Sequence, residues 1–219
     1  MKPLKDNRWG RAGGYTLLEM SIVLVLLGMV LGATFTVGMS SDKTYRTGTT
    51  AAHLEAQADM AVGRIVSDLR IARRDSLAPD PAPGSGGESV EYVQPVGITN
   101  GVVQWSPPRR LAFEYETGEI DDGLDNNRNG LVDEGQVVLR EDFGGANERR
   151  HVITRWVREL AAGETANGAD DNGNGLVDEP GFLVERFDET LVVRLTLEQR
   201  DGEGRLRNRT SRTSARMRN

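Results

Sequence analysis

The chain has no cysteine. Disulfide staples, common in small exported domains, are therefore ruled out, and so is thiol chemistry of any kind. A domain without them must rely on its core or on metal ions. Histidine is nearly missing as well. His53 and His151 are the two in 219 residues, and they lie far apart in sequence, which argues against a histidine-rich metal site. Net charge is a modest −6 with a pI near 5.1, so no general attraction to nucleic acid or anionic lipid is expected. No nucleophile elbow, phosphate loop or histidine triad occurs. Between Tyr15 and Met39 charge is absent except at Glu19.

That uncharged stretch is the most informative one present. A bilayer-spanning helix needs about 20 mostly apolar residues, and Tyr15–Met39 supplies them. A carboxylate in such a segment is expensive, which makes Glu19 a functional residue by default. Lys2, Lys5, Arg8 and Arg11 precede the run and would hold the leader in the cytoplasm. A secretory signal peptide is cut after its apolar region, at small residues. Here Gly13 and Gly14 come before it. The string Gly14-Tyr15-Thr16-Leu17-Leu18-Glu19-Met20 resembles the processing site of type IV pilins and type II secretion pseudopilins, with Tyr15 where that family most often has Phe. The resemblance implies cleavage by prepilin peptidase between Gly14 and Tyr15, N-methylation of the new terminus, and a role for Glu19 in assembly. The alternative is a plain N-terminal membrane anchor with Glu19 near the interface.

The helical period continues past the apolar run. Leu54, Ala58, Ala61, Ile65, Leu69 and Ala72 form one face of an amphipathic helix. A single helix over Tyr15–Arg74 would be roughly 90 Å long. The Thr- and Gly-containing stretch from Ser40 to Thr50 is its weakest part. Pro79, Pro81 and Pro83, followed by Gly84-Ser85-Gly86-Gly87, end it. The period then becomes two, with Leu111, Phe113 and Tyr115 on one strand face and Leu191, Val193, Leu195 and Leu197 on another. Val90–Val93, Val137–Leu139, Val152–Val157, Phe182–Glu185 and Arg209–Met217 are further strand candidates. The expected class is α+β, a long N-terminal transmembrane and amphipathic helix packed on an antiparallel sheet. The expected order is leader 1–14, transmembrane helix 15–39, amphipathic continuation 40–76, linker 77–89 and a β-rich domain 90–219. The closing pattern, strand, glycine turn at Asp201–Gly204 and final strand, is similar to the end of J-type minor pseudopilins and W-type minor pilins.

Two acidic segments, 118–135 and 163–180, repeat at an offset of 45 residues without a gap. Calcium takes six to eight oxygens, and loops present them at positions 1, 3 and 5 before a glycine at 6. Asp125, Asn127 and Asn129 precede Gly130; Asp170, Asn172 and Asn174 precede Gly175. Leu131 and Leu176 would offer backbone carbonyls, and Asp133 and Asp178 follow. The loops resemble calcium-binding Asp/Asn/Gly repeats of exported bacterial proteins. Position 12 lacks the usual glutamate, being Gln136 or Gly181. Glu134 and Glu179 are candidates for the missing ligand, with Asp122 in the first loop and Asn167 in the second. So few carboxylates imply dissociation constants on the order of 10⁻⁴ to 10⁻³ M. The competing reading is Asn/Gly-rich turns and nothing more.

The last fifteen residues carry Arg205, Arg207, Arg209, Arg212, Arg216 and Arg218 and no acid. They could bind DNA or phosphate, or form a solvated edge that blocks strand pairing. The sequence reads as a minor pilin or pseudopilin and not an enzyme, with two calcium ions and other pilins and prepilin peptidase as partners. It would sit in a bacterial inner membrane with its outer domain in the periplasm or outside the cell, then enter a pilus or pseudopilus, initiating or capping it. The rivals are a tip adhesin or DNA-uptake pilin and a solitary membrane-anchored calcium-binding domain.

Overall fold

The computed structural model describes residues 15–82 and 86–217. The leader, with Gly14, lies outside the described residues, as do Pro83–Ser85 and Arg218. The chain divides into two compact units, Met1–Tyr45 and Arg46–Asn219.

Helix α1 (Leu17–Arg70) runs without interruption. No proline falls within it, and the Ser40–Thr50 stretch is helical too. There Thr44, Thr49 and Thr50 donate their hydroxyls to the carbonyls of Ser40, Arg46 and Arg46. These back-bonds give the polar side chains partners inside the helix instead of in a competing turn. The helix stops four residues short of the expected Arg74. The N–H of Arg73 goes to the carbonyl of Val93 at 2.9 Å, and Arg73 is extended. A tertiary bond to Val93, just past the first strand, takes the place of the last helical turn. A 3₁₀ turn at Arg74–Ser76 follows.

In the first unit the side chains from Leu17 to Met39 are exposed, including Leu24, Leu27, Leu31 and Phe35. The segment is long and apolar enough to cross a membrane.

In the second unit nine strands follow: β1 (Ser89–Tyr92), β2 (Pro95–Thr99), β3 (Val102–Trp105), β4 (Arg109–Tyr115), β5 (Gly135–Glu141), β6 (Arg149–Val157), β7 (Phe182–Phe187), β8 (Thr190–Arg200) and β9 (Leu206–Arg216). Seven of them make an antiparallel sheet in the order β1-β4-β5-β6-β8-β7, with β9 on the other edge of β8. The layout is α+β, a long helix and then an antiparallel sheet domain. β2 and β3 form a separate hairpin that the period-two reading misses. Its signal was present in Asn100-Gly101, whose φ values of 53° and 77° suit a tight turn between twisted strands.

The sheet has two differently covered faces. Leu54, Ala58, Ala61, Val62, Ile65 and Leu69 of α1 share one core with Tyr92, Leu111, Val137, Leu139, Phe182, Val184, Leu191, Val193, Leu195 and Leu197. Alternation puts Ala112, Val138, Leu183 and Val192 on the opposite face, where they are also buried. Arg194, Glu198 and Arg200 share that second face by register, and it is there that the two acidic loops attach.

Ile65→Ala is expected to destabilise the domain by about 2–4 kcal/mol, because a buried aliphatic side chain is deleted. Met60→Ala, at an exposed helix position, should stay within about 0.5 kcal/mol. Denaturant unfolding of the chain in detergent, followed by tryptophan fluorescence, checks both. Equal effects would mean that the helix stripe is not the core.

Candidate functional site

The sequence repeat is a structural repeat. Gly118, Gly123 and Gly130 take positive φ in the first loop, and Gly163, Gly168 and Gly175 do so in the second. Even the non-glycine positions correspond: Asp133 (φ 49°) matches Asp178 (φ 47°), and Arg128 (φ 63°) matches Gly173 (φ 75°).

The side chains fold onto the backbone in the same way twice. Asp125 accepts N–H bonds from Asn129 at 3.1 Å and Gly130 at 2.8 Å. Asp170 accepts them from Gly173, Asn174 and Gly175 at 2.7–3.1 Å. Asn127 and Asn129 each accept the N–H two residues on, as do Asn172 and Asn174. The N–H groups of Leu131 and Leu176 are the last donors in these chains. Asp133 turns back to the N–H groups of Asp122 and Gly123, and Asp178 to those of Asn167 and Gly168. Asp122 accepts the Leu124 N–H at 3.0 Å, and Asn167 the Ala169 N–H at 2.8 Å. A carboxylate has about four lone-pair sites, so the N–H bonds to Asp125 leave capacity for a cation.

Each loop closes on a buried glutamate just before the next strand. Glu134 accepts from the side-chain amides of Asn127, at 2.8 Å, and Asn129. Glu179 accepts from Asn174 at 2.7 Å and Asn172 at 3.5 Å. Glu134 and Glu179 are 1% and 4% exposed. Two further buried acids were not picked out from the sequence. Glu119 accepts the N–H of Asn127 at 2.7 Å, and Glu164 that of Asn172 at 3.0 Å. The identical pairs Gly118-Glu119 and Gly163-Glu164 of the repeat carried that signal.

The donor set fits a hard cation in one specific respect. Glu134 Oε2 and Glu164 Oε2 are buried and have no hydrogen-bond partner, one orphaned carboxylate oxygen per loop. An unsatisfied buried acceptor costs about 1–3 kcal/mol, and more when charged. Carboxylate, amide and carbonyl oxygens are the ligands calcium takes.

The surroundings of the first loop are strongly acidic. The carboxylates of Asp121, Asp133 and Glu159 lie within 4.8 Å of one another. Burial pushes the Glu159 carboxyl up, aided by Asp121 and Asp133 and opposed by the Tyr115 hydroxyl, which donates to it at 3.0 Å. Burial also raises Glu116 and Glu198, with Glu134 adding to both and nearby arginines opposing.

At the N-terminus Thr16 caps α1. Glu19 accepts the Thr16 N–H at 2.8 Å and the Thr16 hydroxyl at 3.0 Å, while the Glu19 N–H donates to that hydroxyl. This is a capping box, with Thr16 and Glu19 three residues apart. Tyr15 is exposed just ahead of it.

The arginines of β9 are mostly engaged. Arg205 and Arg207 pair with Asp201, Arg209 with Glu55 and Arg216 with Glu189. Arg212 is exposed.

Residues 9–35 match the model of the prokaryotic N-terminal methylation motif. No curated protein and no solved structure gives a significant match. The motif is a type IV pilin signal, and in this chain the long apolar helix follows it. The signal and the apolar helix fit a membrane-anchored protein.

Burial drives the Asp201 carboxyl up, but the N–H groups of Arg205 and Glu203 and the guanidinium groups of Arg207 and Arg205 outweigh it and hold it at about 2. Its stabilisation is therefore present above the unfolded value near 3.8 and is lost as pH falls through about 2. Asp201→Asn should lower the melting temperature at pH 7, and the deficit should shrink between pH 4 and pH 2. A deficit independent of pH would assign Asp201 a purely geometric role in the turn.

Proposed function

We propose that the mature chain is a minor pilin or pseudopilin, a structural subunit that initiates or caps a filament, with two loops of its outer domain stabilised by calcium. The methylation motif over residues 9–35 carries this reading. Processing removes residues 1–14 and creates a charged amine at Tyr15. In a low-dielectric filament core, Glu19 pairs with that amine on a neighbouring subunit and sets axial register. The domain's role is to present a surface, not to catalyse. The strand–turn–strand ending at β8 and β9 supports the minor-subunit assignment through its likeness to J-type and W-type subunits.

Mass spectrometry should find N-methylated Tyr15 as the mature terminus. An intact Met1, or a cut after the apolar helix, would reject the assignment. Glu19→Gln keeps the capping bond, since glutamine serves at that position, but removes the charge. It should be processed normally and fail to assemble. Assembly at wild-type levels would leave Glu19 as a helix cap only.

For calcium, Asp125, Asn127, Asn129, Leu131 and Glu134 would hold one ion, and Asp170, Asn172, Asn174, Leu176 and Glu179 the other. Asp133 and Asp178, with Asp122 and Asn167, brace the loops. Chelator-stripped protein in detergent should bind two ions by calorimetric titration. At 100 times the dissociation constant each site adds about 2.7 kcal/mol, seen as a higher melting temperature. Asp125→Ala and Asp170→Ala should each remove one ion. No heat and no melting shift at millimolar calcium would reduce both loops to turns.

The adhesin alternative finds less support in the β9 arginines, since Arg205, Arg207, Arg209 and Arg216 already face acids of the same chain.

A further inference from the structure

We propose that Arg194 is a built-in counter-cation that keeps the calcium affinity of the second loop below that of the first. The inference rests on the calcium reading above and names the residue that makes two near-identical loops unequal.

The loops match in backbone and in most Asx bonds, and their own net charges are equal, six acids with Arg128 in the first and five acids in the second, so the proposed difference comes from what they rest on. Both rest on the same face of β8. Under the second loop that face presents Arg194, whose Nη1 lies 2.8 Å from Glu179 Oε1 and whose Nη2 lies 4.0 Å from Glu185 Oε2. The pair is desolvated, with Arg194 15% and Glu179 4% exposed in their side chains. A divalent ion that recruits Glu179 must compete with a fixed positive charge already bonded to it.

Under the first loop the same face presents Glu198 instead. Glu134 makes no ion pair among the described residues, and its Oε2 has no hydrogen-bond partner. Glu198 itself faces Arg158, whose Nε lies 4.0 Å from its Oε1. The nearest arginine along β8, Arg200, donates to the carbonyls of Gly130 and Gly204 and not to Glu134. Within the loops the charges balance, Asp121 and Asp122 with Arg128 in the first standing against Ala166, Asn167 and Gly173, and Asp171 in the second against Asn126. The difference lies at the closing glutamate, where Arg194 is bonded to Glu179 and no arginine is bonded to Glu134 among the described residues. Calcium loops tune affinity over orders of magnitude by their net ligand charge.

The test is calorimetric titration of calcium into the chelator-stripped, processed full chain in detergent. Wild type should bind in two steps about tenfold apart or more, the tighter abolished by Asp125→Ala and the weaker by Asp170→Ala. Arg194→Gln should tighten the weaker step by about tenfold and enlarge the calcium-induced rise in melting temperature. Arg194→Lys, which keeps the charge, should stay within about threefold of wild type. The reciprocal change Glu198→Arg should weaken the tighter step by about tenfold, and it carries the test if Arg194→Gln does not fold without metal. Equal affinities in wild type, a tighter step lost with Asp170→Ala, or a weaker step indifferent to Arg194→Gln would each overturn the proposal. Absence of binding heat in wild type and in Arg194→Gln alike would instead overturn the calcium reading beneath it.

Discussion

The stripe Leu54, Ala58, Ala61, Val62, Ile65 and Leu69 is the surface on which the sheet is built. A sheet has two faces, and one helix covers only one of them. The helix-facing side is filled by Leu191, Val193, Leu195, Leu197 and their neighbours, and it needs no polar contribution. The second face is left to the loops between strands. Those loops are rich in Asp, Asn and Gly, with few apolar side chains to bury. Their cover is therefore polar, and polar cover must be satisfied atom by atom.

That division explains why buried acids concentrate where they do. Glu119, Glu134, Glu164 and Glu179 are all nearly inaccessible, and each accepts N–H groups from its loop. Such a carboxylate ties several loop positions together, Glu119 through two backbone N–H groups and Glu134 through two asparagine amides. It also brings a charge that the interior resists. Arg194 answers that charge for Glu179, whereas Glu134 has only amides on one oxygen. In a chain without cysteine, order in these loops depends on how each buried charge is met.

Much of this was legible in the sequence, for reasons of range. The helical stripe was readable because its residues share one face at fixed spacing, and every residue named for it is buried, Ala72 included. The strand faces of β4 and β8 were readable by alternation. The equivalence of the two loops followed from a gapless repeat, because Asx turns are local. What escaped was set by distant partners or by signals passed over. The helix end at Arg70 depends on Val93, which lies between β1 and β2. The opposition of Arg194 and Glu198 depends on which part of β8 lies beneath each loop. Asn100-Gly101, by contrast, was a local hairpin signal, and Thr16-Leu17-Leu18-Glu19 was a local capping box.

That capping box constrains how Glu19 can act. The N-terminal end of a helix carries partial positive charge, and an amine at Tyr15, as the proposed processing would create, adds a full one beside it. Two positive features at one helix end need a carboxylate near at hand, and Glu19 is in the first turn. Its Oε2 accepts both the N–H and the hydroxyl of Thr16. The proposed pairing across subunits would share or redirect a carboxylate that already has a partner at home, so its net gain is the difference between two sets of partners. On that reading it acts through register, because only one axial offset would bring a second amine within reach.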